Sequence, residues 1–236
     1  MQPTENDHSA ERIMRLLEFT DSTLPVGSFS FSIGLESAVV EGVVHDETTL
    51  EEFTAAAAHA AATSDAVGAI AAYRAFRSGQ MRELRRADRC IVQSKPNAER
   101  RRQSLLMGHK LASLASRILD DNPTAKAWLD EVAVSRTRGS YAAVQGVVFA
   151  ACGISERALF CSHQYGVIST ILNAALRIMK ISHYQTQEIL YRLGANCDQL
   201  YKQVEEMTLD EIHSFSPEAD LLAALHEKGT SRMFMN

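Results

Sequence analysis

Between Thr48 and Arg77 the chain runs through alanine-rich sequence with no proline and a single glycine, Gly68, before Gly79 supplies a stop. Alanine gives up the least conformational freedom on entering a helix, and nothing in this run breaks the backbone ladder. The rest of the chain repeats the pattern: 236 residues hold five prolines and twelve glycines, with alanine, leucine, glutamate and arginine filling the intervals. The sequence therefore predicts an all-α, single-domain bundle of about nine to eleven helices, with a flexible N-terminus over about 1–9 and a separate tail over about 227–236.

The breakers place the helices. A first helix from about Glu11, with Ile13, Leu16 and Leu17 on one face, must stop at the Leu24-Pro25-Val26-Gly27 turn, because Pro25 fixes its own φ and pushes Leu24 out of the helical region. Ser28, Ser30 and Ser32 can each cap or turn the chain there, and Phe31, Leu35, Ala38 and Val39 restart an apolar stripe over about 32–42. Thr48 with Glu51 has the form of a capping box, opening a helix that bends near Ser64–Gly68 and runs to Arg77. An arginine-rich segment follows, then helices over about 97–119, around Trp128, and over about 141–152. Ser155 and Arg157 open the longest helix, to about Lys180. Two more helices, about 184–193 and 196–207, precede a loop at 214–217 and a last short helix.

The longest helix is two-faced. Ile168, Ile171, Leu172, Ala175, Ile178 and Met179 make an apolar face, and opposite them His163, Gly166, Thr170, Asn173, Arg177 and Lys180 recur at alternating spacings of three and four. Such a stripe reads as a solvated or partner-facing surface rather than a metal site, which needs converging ligands.

Several kinds of chemistry are missing. No G-x-x-x-x-G-K-[ST] and no G-x-G-x-x-G cradle is present for a nucleotide, and Val26-Gly27-Ser28-Phe29-Ser30 lacks the second glycine and the preceding strand of a nucleophile elbow. The eight histidines and four cysteines form no C-x-x-C and no paired metal-ligand spacing, so no catalytic residue, cofactor or resident metal is expected. Cys152 and Cys161 sit among apolar neighbours and read as small core hydrophobes. A formal net charge of -5 gives no general attraction to nucleic acid or to an anionic membrane. The dense arginines Arg82, Arg85, Arg86 and Arg89, and then Arg100–Arg102, read as a solvated helix face that pairs locally. No apolar run is long enough to cross a bilayer and the start MQPTENDHSAER lacks the form of a signal peptide, which predicts a cytoplasmic protein.

The segment Leu24, Pro25, Val26, Gly27, Phe29, Ser32, Gly34, Leu35, Glu36 resembles the N-terminal signature of the UreF family of urease accessory proteins. The closing Ser231-Arg232-Met233-Phe234-Met235-Asn236 is similar to that family's Ser-Arg-Leu-Phe/Tyr tail, and Glu99, Arg101 and Gly108 line up with its middle helix. The resemblance implies an all-α, usually dimeric protein without catalytic activity. Such a protein binds UreD (UreH in some organisms), and the pair recruits the nickel-carrying GTPase UreG to the urease apoprotein. Carried onto this sequence, Leu24, Pro25, Gly27, Ser28, Phe29, Ser32 and Glu36 would shape a UreG-facing or dimer-forming loop with exposed Phe and Ser side chains. Ser231, Arg232, Met233, Phe234 and Met235 would dock UreD. His163, Thr170, Asn173 and Arg177 would line a polar path or interface. One departure stands out: where many relatives have a Pro-Leu-Gly-Gln-like turn, this chain reads Ile181-Ser182-His183-Tyr184-Gln185. The rival reading is a helical metal binder or enzyme with its site at the Ser28–Glu36 loop and His163.

Overall fold

The computed structural model describes residues 9–27, 31–95 and 97–213. Ser28, Phe29 and the whole 231–235 tail segment lie outside the described residues, as do the anticipated loop at 214–217 and the helix after it. Among the described residues the chain is helical with no strand: α1 (Ala10–Thr20), α2 (Leu35–Val40), α3 (Glu47–Ala61), a π-helical turn (Ala62–Ala66), α4 (Val67–Arg77), α5 (Met81–Gln93), α6 (Ala98–Ile118), α7 (Pro123–Ala133), α8 (Tyr141–Ala151), α9 (Glu156–Ile178), α10 (His183–Gly194), α11 (Cys197–Val204) and a 3-10 turn (Leu209–Glu211). No described helix is long and apolar enough to cross a membrane.

Local chemistry accounts for most boundaries. Asn97, Asn122, Ser155 and Ser182 each accept a hydrogen bond from a first-turn backbone N–H of the helix they precede. The start of α3 differs from the sequence expectation: Asp46, not Thr48, is the cap, and Thr49 closes the box by accepting from the Asp46 backbone N–H. Asp binds the free N–H groups of a helix start as well as Thr does and adds charge that favours the positive end of the helix. The bend anticipated near Ser64–Gly68 is the π-turn. Its wider winding leaves the Thr63 carbonyl to accept from the His213 backbone N–H at 3.2 Å, while the Thr63 hydroxyl donates to the His213 carbonyl at 2.9 Å.

The main core lies between α4, α5, α6, α7 and α8. From Ala142 to Phe149 every residue of α8 is buried, and Trp128, Leu129, Leu84, Ile91 and Leu111 close around it. Close backbone approach needs small residues here. A Cβ added to Gly108 of α6 would stand 2.0 Å from the Gly139 carbonyl oxygen, so no side chain fits without moving main chain. The same loop is held by Asp88 of α5, a buried carboxylate that accepts from the backbone N–H groups of Gly139 (2.9 Å) and Ser140 (2.7 Å). A second apolar cluster joins α2, α3, α9 and α10 through Leu35, Leu50, Ile168, Ile171, Leu172 and Ile189. A third, built on Ala62, Val67, Ile70, Phe160 and Val204, seats α11.

The divergent turn before α10 has a clear structural role. Ser182 and Gln185 form a reciprocal capping box, Gln185 Nε2 donates to Glu47 at 2.8 Å, and Arg192 forks onto Glu47 and Glu51, so the turn and helix it starts are tied to α3.

Candidate functional site

Two segments far apart in sequence, the Leu24–Gly27 turn and the polar stripe of α9, line the same cavity of about 900 Å³. The turn forms part of its wall. Asp21 Oδ1 accepts from the Thr23 backbone N–H at 2.6 Å, Val26 N–H closes a tight turn onto the Leu24 carbonyl at 2.7 Å, and buried Val26 anchors the loop in the main core. Gly27 sits at φ +85, a left-handed conformation, and an added Cβ would meet Lys110 Nζ at 2.8 Å. Glycine is the residue that satisfies both conditions.

Along α9, His163, Gly166, Thr170, Asn173 and Arg177 follow one another in the lining. At 1.5 Å per residue the stripe extends about 21 Å. Its inner end is buried and its outer end, at Asn173 and Arg177, is exposed. Thr170 Oγ1 donates to the Gly166 carbonyl at 2.7 Å, a local bond that spends its proton on the helix backbone.

The floor is a connected set of polar side chains. Thr20 Oγ1 and Ser162 Oγ are 2.7 Å apart, Gln145 Nε2 donates to Ser162 Oγ at 3.4 Å, and Gln145 Oε1 lies 2.9 Å from His163 Nδ1. With the amide nitrogen turned to serine, the Gln145 oxygen is an acceptor and His163 Nδ1 must carry the proton. His163 Nε2 is then an unprotonated acceptor, and it is buried without a partner among the described residues. Burial holds the imidazole below its usual pKa; the Asp65 carboxylate opposes that and the Lys95 ammonium adds to it. At neutral pH the site presents a neutral imidazole lone pair.

Asp65 reaches the cavity from the π-turn. Lys95 Nζ donates to both of its oxygens, at 2.6 and 2.8 Å. Burial raises the Asp65 pKa, but Lys95 and then His163 outweigh it, and the carboxyl is held below the ordinary range. Tyr141, whose ring centroid is 6.5 Å from that of His163, is kept protonated, pushed up to about 12 by burial. Arg100 and His183 also border the cavity. Such a surface can hold water and hand hydrogen bonds along a path. Among the described residues no three His, Cys, Asp or Glu side chains gather in a way that would hold a metal ion.

The remaining site expectations divide. Leu24, Pro25 and Gly27 border the cavity; Ser32 and Glu36 do not. The expectation of an exposed Ser side chain is corrected at Ser32, which is buried, because Ile33 at φ 54 and Gly34 at φ 86 fold the chain back before α2; Phe31, read as the start of an apolar stripe, is buried as expected. Cys152 and Cys161 are partly buried, packed against the edges of the first and third apolar clusters rather than enclosed within them. Of the arginines, Arg86 pairs locally with Glu83 as anticipated but also reaches Asp210, and Arg85 pairs across to Glu131 of α7. Sequence reasoning missed Asp65, Lys95, Tyr141 and Gln145. The one available signal was Thr63-Ser64-Asp65, three polar residues in succession within an alanine-rich helix.

The UreF family model matches residues 44–194 of this chain. Over 224 residues the chain is 41% identical to urease accessory protein UreF 2 of Brucella canis, covering 95% of this chain and 92% of that one. It is 39% identical over 228 residues to urease accessory protein UreF of Yersinia pseudotuberculosis, covering 97% of this chain and all of that one. The chain belongs to the UreF family. Within this UreF chain the matched region takes in α3 through α10, and so all of the α9 stripe, Asp65, Lys95 and Gln145. The Leu24–Gly27 turn precedes it but falls within a chain whose relatives match it nearly end to end.

Proposed function

We propose that this UreF chain is a cytoplasmic scaffold of urease maturation that carries out no reaction of its own. It pairs with UreD (UreH) and, as a homodimer, brings the nickel-carrying GTPase UreG to the urease apoprotein. Nickel is the cargo of that assembly. The reading rests on one observation above all: the family's N-terminal turn and the polar stripe of α9 share a single open, hydrogen-bonding cavity. A hydrated cation passing through protein needs polar walls to replace lost water contacts, and a floor whose Asp65 is balanced by Lys95 would neither repel nor trap it. His163, Thr170, Asn173 and Arg177 serve as that wall. The turn from Leu24 to Glu36 shapes the surface met by UreG or by the second copy, with Ser32 and Leu35 acting from inside. The tail from Ser231 to Met235 carries apolar and arginine anchors of the kind that dominate interfaces, and docks UreD.

The test is capture from a mixture. Deleting residues 229–236 is expected to abolish UreD binding in a pull-down while leaving the helical circular dichroism unchanged; retained binding would remove the tail from the account. Calorimetric titration of the isolated chain with nickel addresses the rival reading. Weak or absent binding agrees with a scaffold, and tight one-to-one binding would favour a resident metal site.

A further inference from the structure

Away from the polar cavity, α9 meets α11 beside a second cavity of about 600 Å³, whose lining includes Cys161, Cys197, His59 and Gln164. Cys161 lies one turn after Arg157 on α9, and Cys197 opens α11 just before Asp198. Two contacts hold these helices face to face: Arg157 Nη2 pairs with Asp198 Oδ1 at 2.6 Å, and the Cys197 thiol donates to Cys161 Sγ at 3.3 Å. Tyr201, one turn further along α11, donates to Glu156 on the first turn of α9 at 2.9 Å. Both cysteines are free and partly exposed, so the sulfurs are near enough to react with each other and open enough to be reached.

The two thiols are not equivalent. A hydrogen bond from Cys197 pulls the Cys161 thiol down to about 7 against burial and the Asp198 carboxylate, whose effect the Arg157 guanidinium partly offsets; the Cys197 thiol is pushed up as the donor that keeps its proton. Cys161 is thus the more readily ionised of the two and the better nucleophile, with Cys197 placed as the resolving thiol. Cys152 is the contrast: burial pushes its thiol up to about 11.

We propose that Cys161 and Cys197 are a reversible oxidation site that takes peroxide as its oxidant and ties α9 to α11 by a disulfide. The Cys161 thiolate attacks one peroxide oxygen, the O–O bond breaks, and the departing hydroxide takes a proton to become water. Cys161 is left as a sulfenic acid. The Cys197 sulfur then attacks the Cys161 sulfur, the S–S bond forms, the S–O bond breaks, and a second water leaves with the Cys197 proton. Two thiols have lost two electrons and two protons, and peroxide has become two waters. Forming an S–S bond of about 2 Å moves the sulfurs together by little more than an ångström. The bond closes a loop between cysteines 36 residues apart, which contains α10, and fixes the helix that leads to His213 and its contact with the π-turn.

Peptide mapping of the reduced full chain after hydrogen peroxide treatment tests this without any variant. The expected product has lost two hydrogens, yields a Cys161–Cys197 linked peptide, and returns to the starting mass with dithiothreitol. Cys197→Ser should stop at a sulfenic acid on Cys161 that a dimedone probe captures. Cys161→Ser should abolish the link and slow peroxide consumption by about tenfold or more. The proposal is overturned if no linked peptide forms, if Cys90 and Cys152 oxidise as fast as Cys161, or if Cys161→Ser consumes peroxide at the original rate.

Discussion

α8 and α9 are successive helices in contact, and they use polarity in opposite ways. α8 is buried from Ala142 to Phe149 and touches apolar or small residues around its circumference, with Gln145 as the polar exception. α9 is divided along its length, one face in the apolar cluster with α2, α3 and α10, the other along the cavity. A helix buried all round supplies density; a two-faced helix supplies a wall. Gln145 connects the two, reaching out of α8 to fix the tautomer of His163 on α9.

The sharpest way to break the dense side is Gly108→Val. The new side chain would stand against the Gly139 carbonyl, which is main chain and cannot rotate aside. A loss of about 3 kcal/mol or more is expected in denaturant unfolding, at the upper end for overpacked cores. Near wild-type stability would mean that α6 and the loop before α8 lie further apart than described.

The cavity side should be less sensitive. Asp65→Asn removes the charge that Lys95 pairs with, in a site that is only partly buried, and about 1–2 kcal/mol is expected, between the values for exposed and buried pairs. The same substitution removes a charge that favours protonated His163, so the imidazole should titrate at still lower pH by NMR. An unchanged titration would separate Asp65 from the site.

The smallest effect is a pH dependence. His163 has a folded pKa held below its unfolded value of about 6.5. The unfolded chain therefore takes up a proton first as pH falls. Stability from this group is full above about 6.5 and is lost progressively below it, down to the folded pKa. His163→Asn keeps a donor for Gln145 Oε1 without a titrating group. Its melting temperature should fall less between pH 7 and 5.5 than that of the parent chain; parallel curves would contradict the buried, neutral imidazole.

The comparison also explains what was legible in the sequence. Helix positions followed from the breakers and from apolar spacing, and the α9 stripe stood out because polar residues at steps of three and four cannot be accidental on one face of a helix. Asp65 and Lys95 were hidden because they come from different elements, and the π-turn that aims Asp65 inward has no residue signature beyond a short polar run. Ser32 was misplaced for a different reason. Serine near a helix start reads as an exposed cap, whereas the left-handed pair Ile33 and Gly34 turns it inside. The Cys161–Cys197 contact joins residues 36 apart, and no local pattern could have indicated it.

The central claim is that the Leu24–Gly27 turn and the α9 stripe form one polar surface that urease maturation uses. The most direct measurement is the nickel content of urease purified from cells whose only UreF is the double variant Thr170→Val, Asn173→Leu. Both positions lie along the cavity and neither is in the core, so the fold and the capture of UreD and UreG should persist. The account predicts urease with several-fold less nickel per active site. Urease carrying its full nickel complement would contradict it.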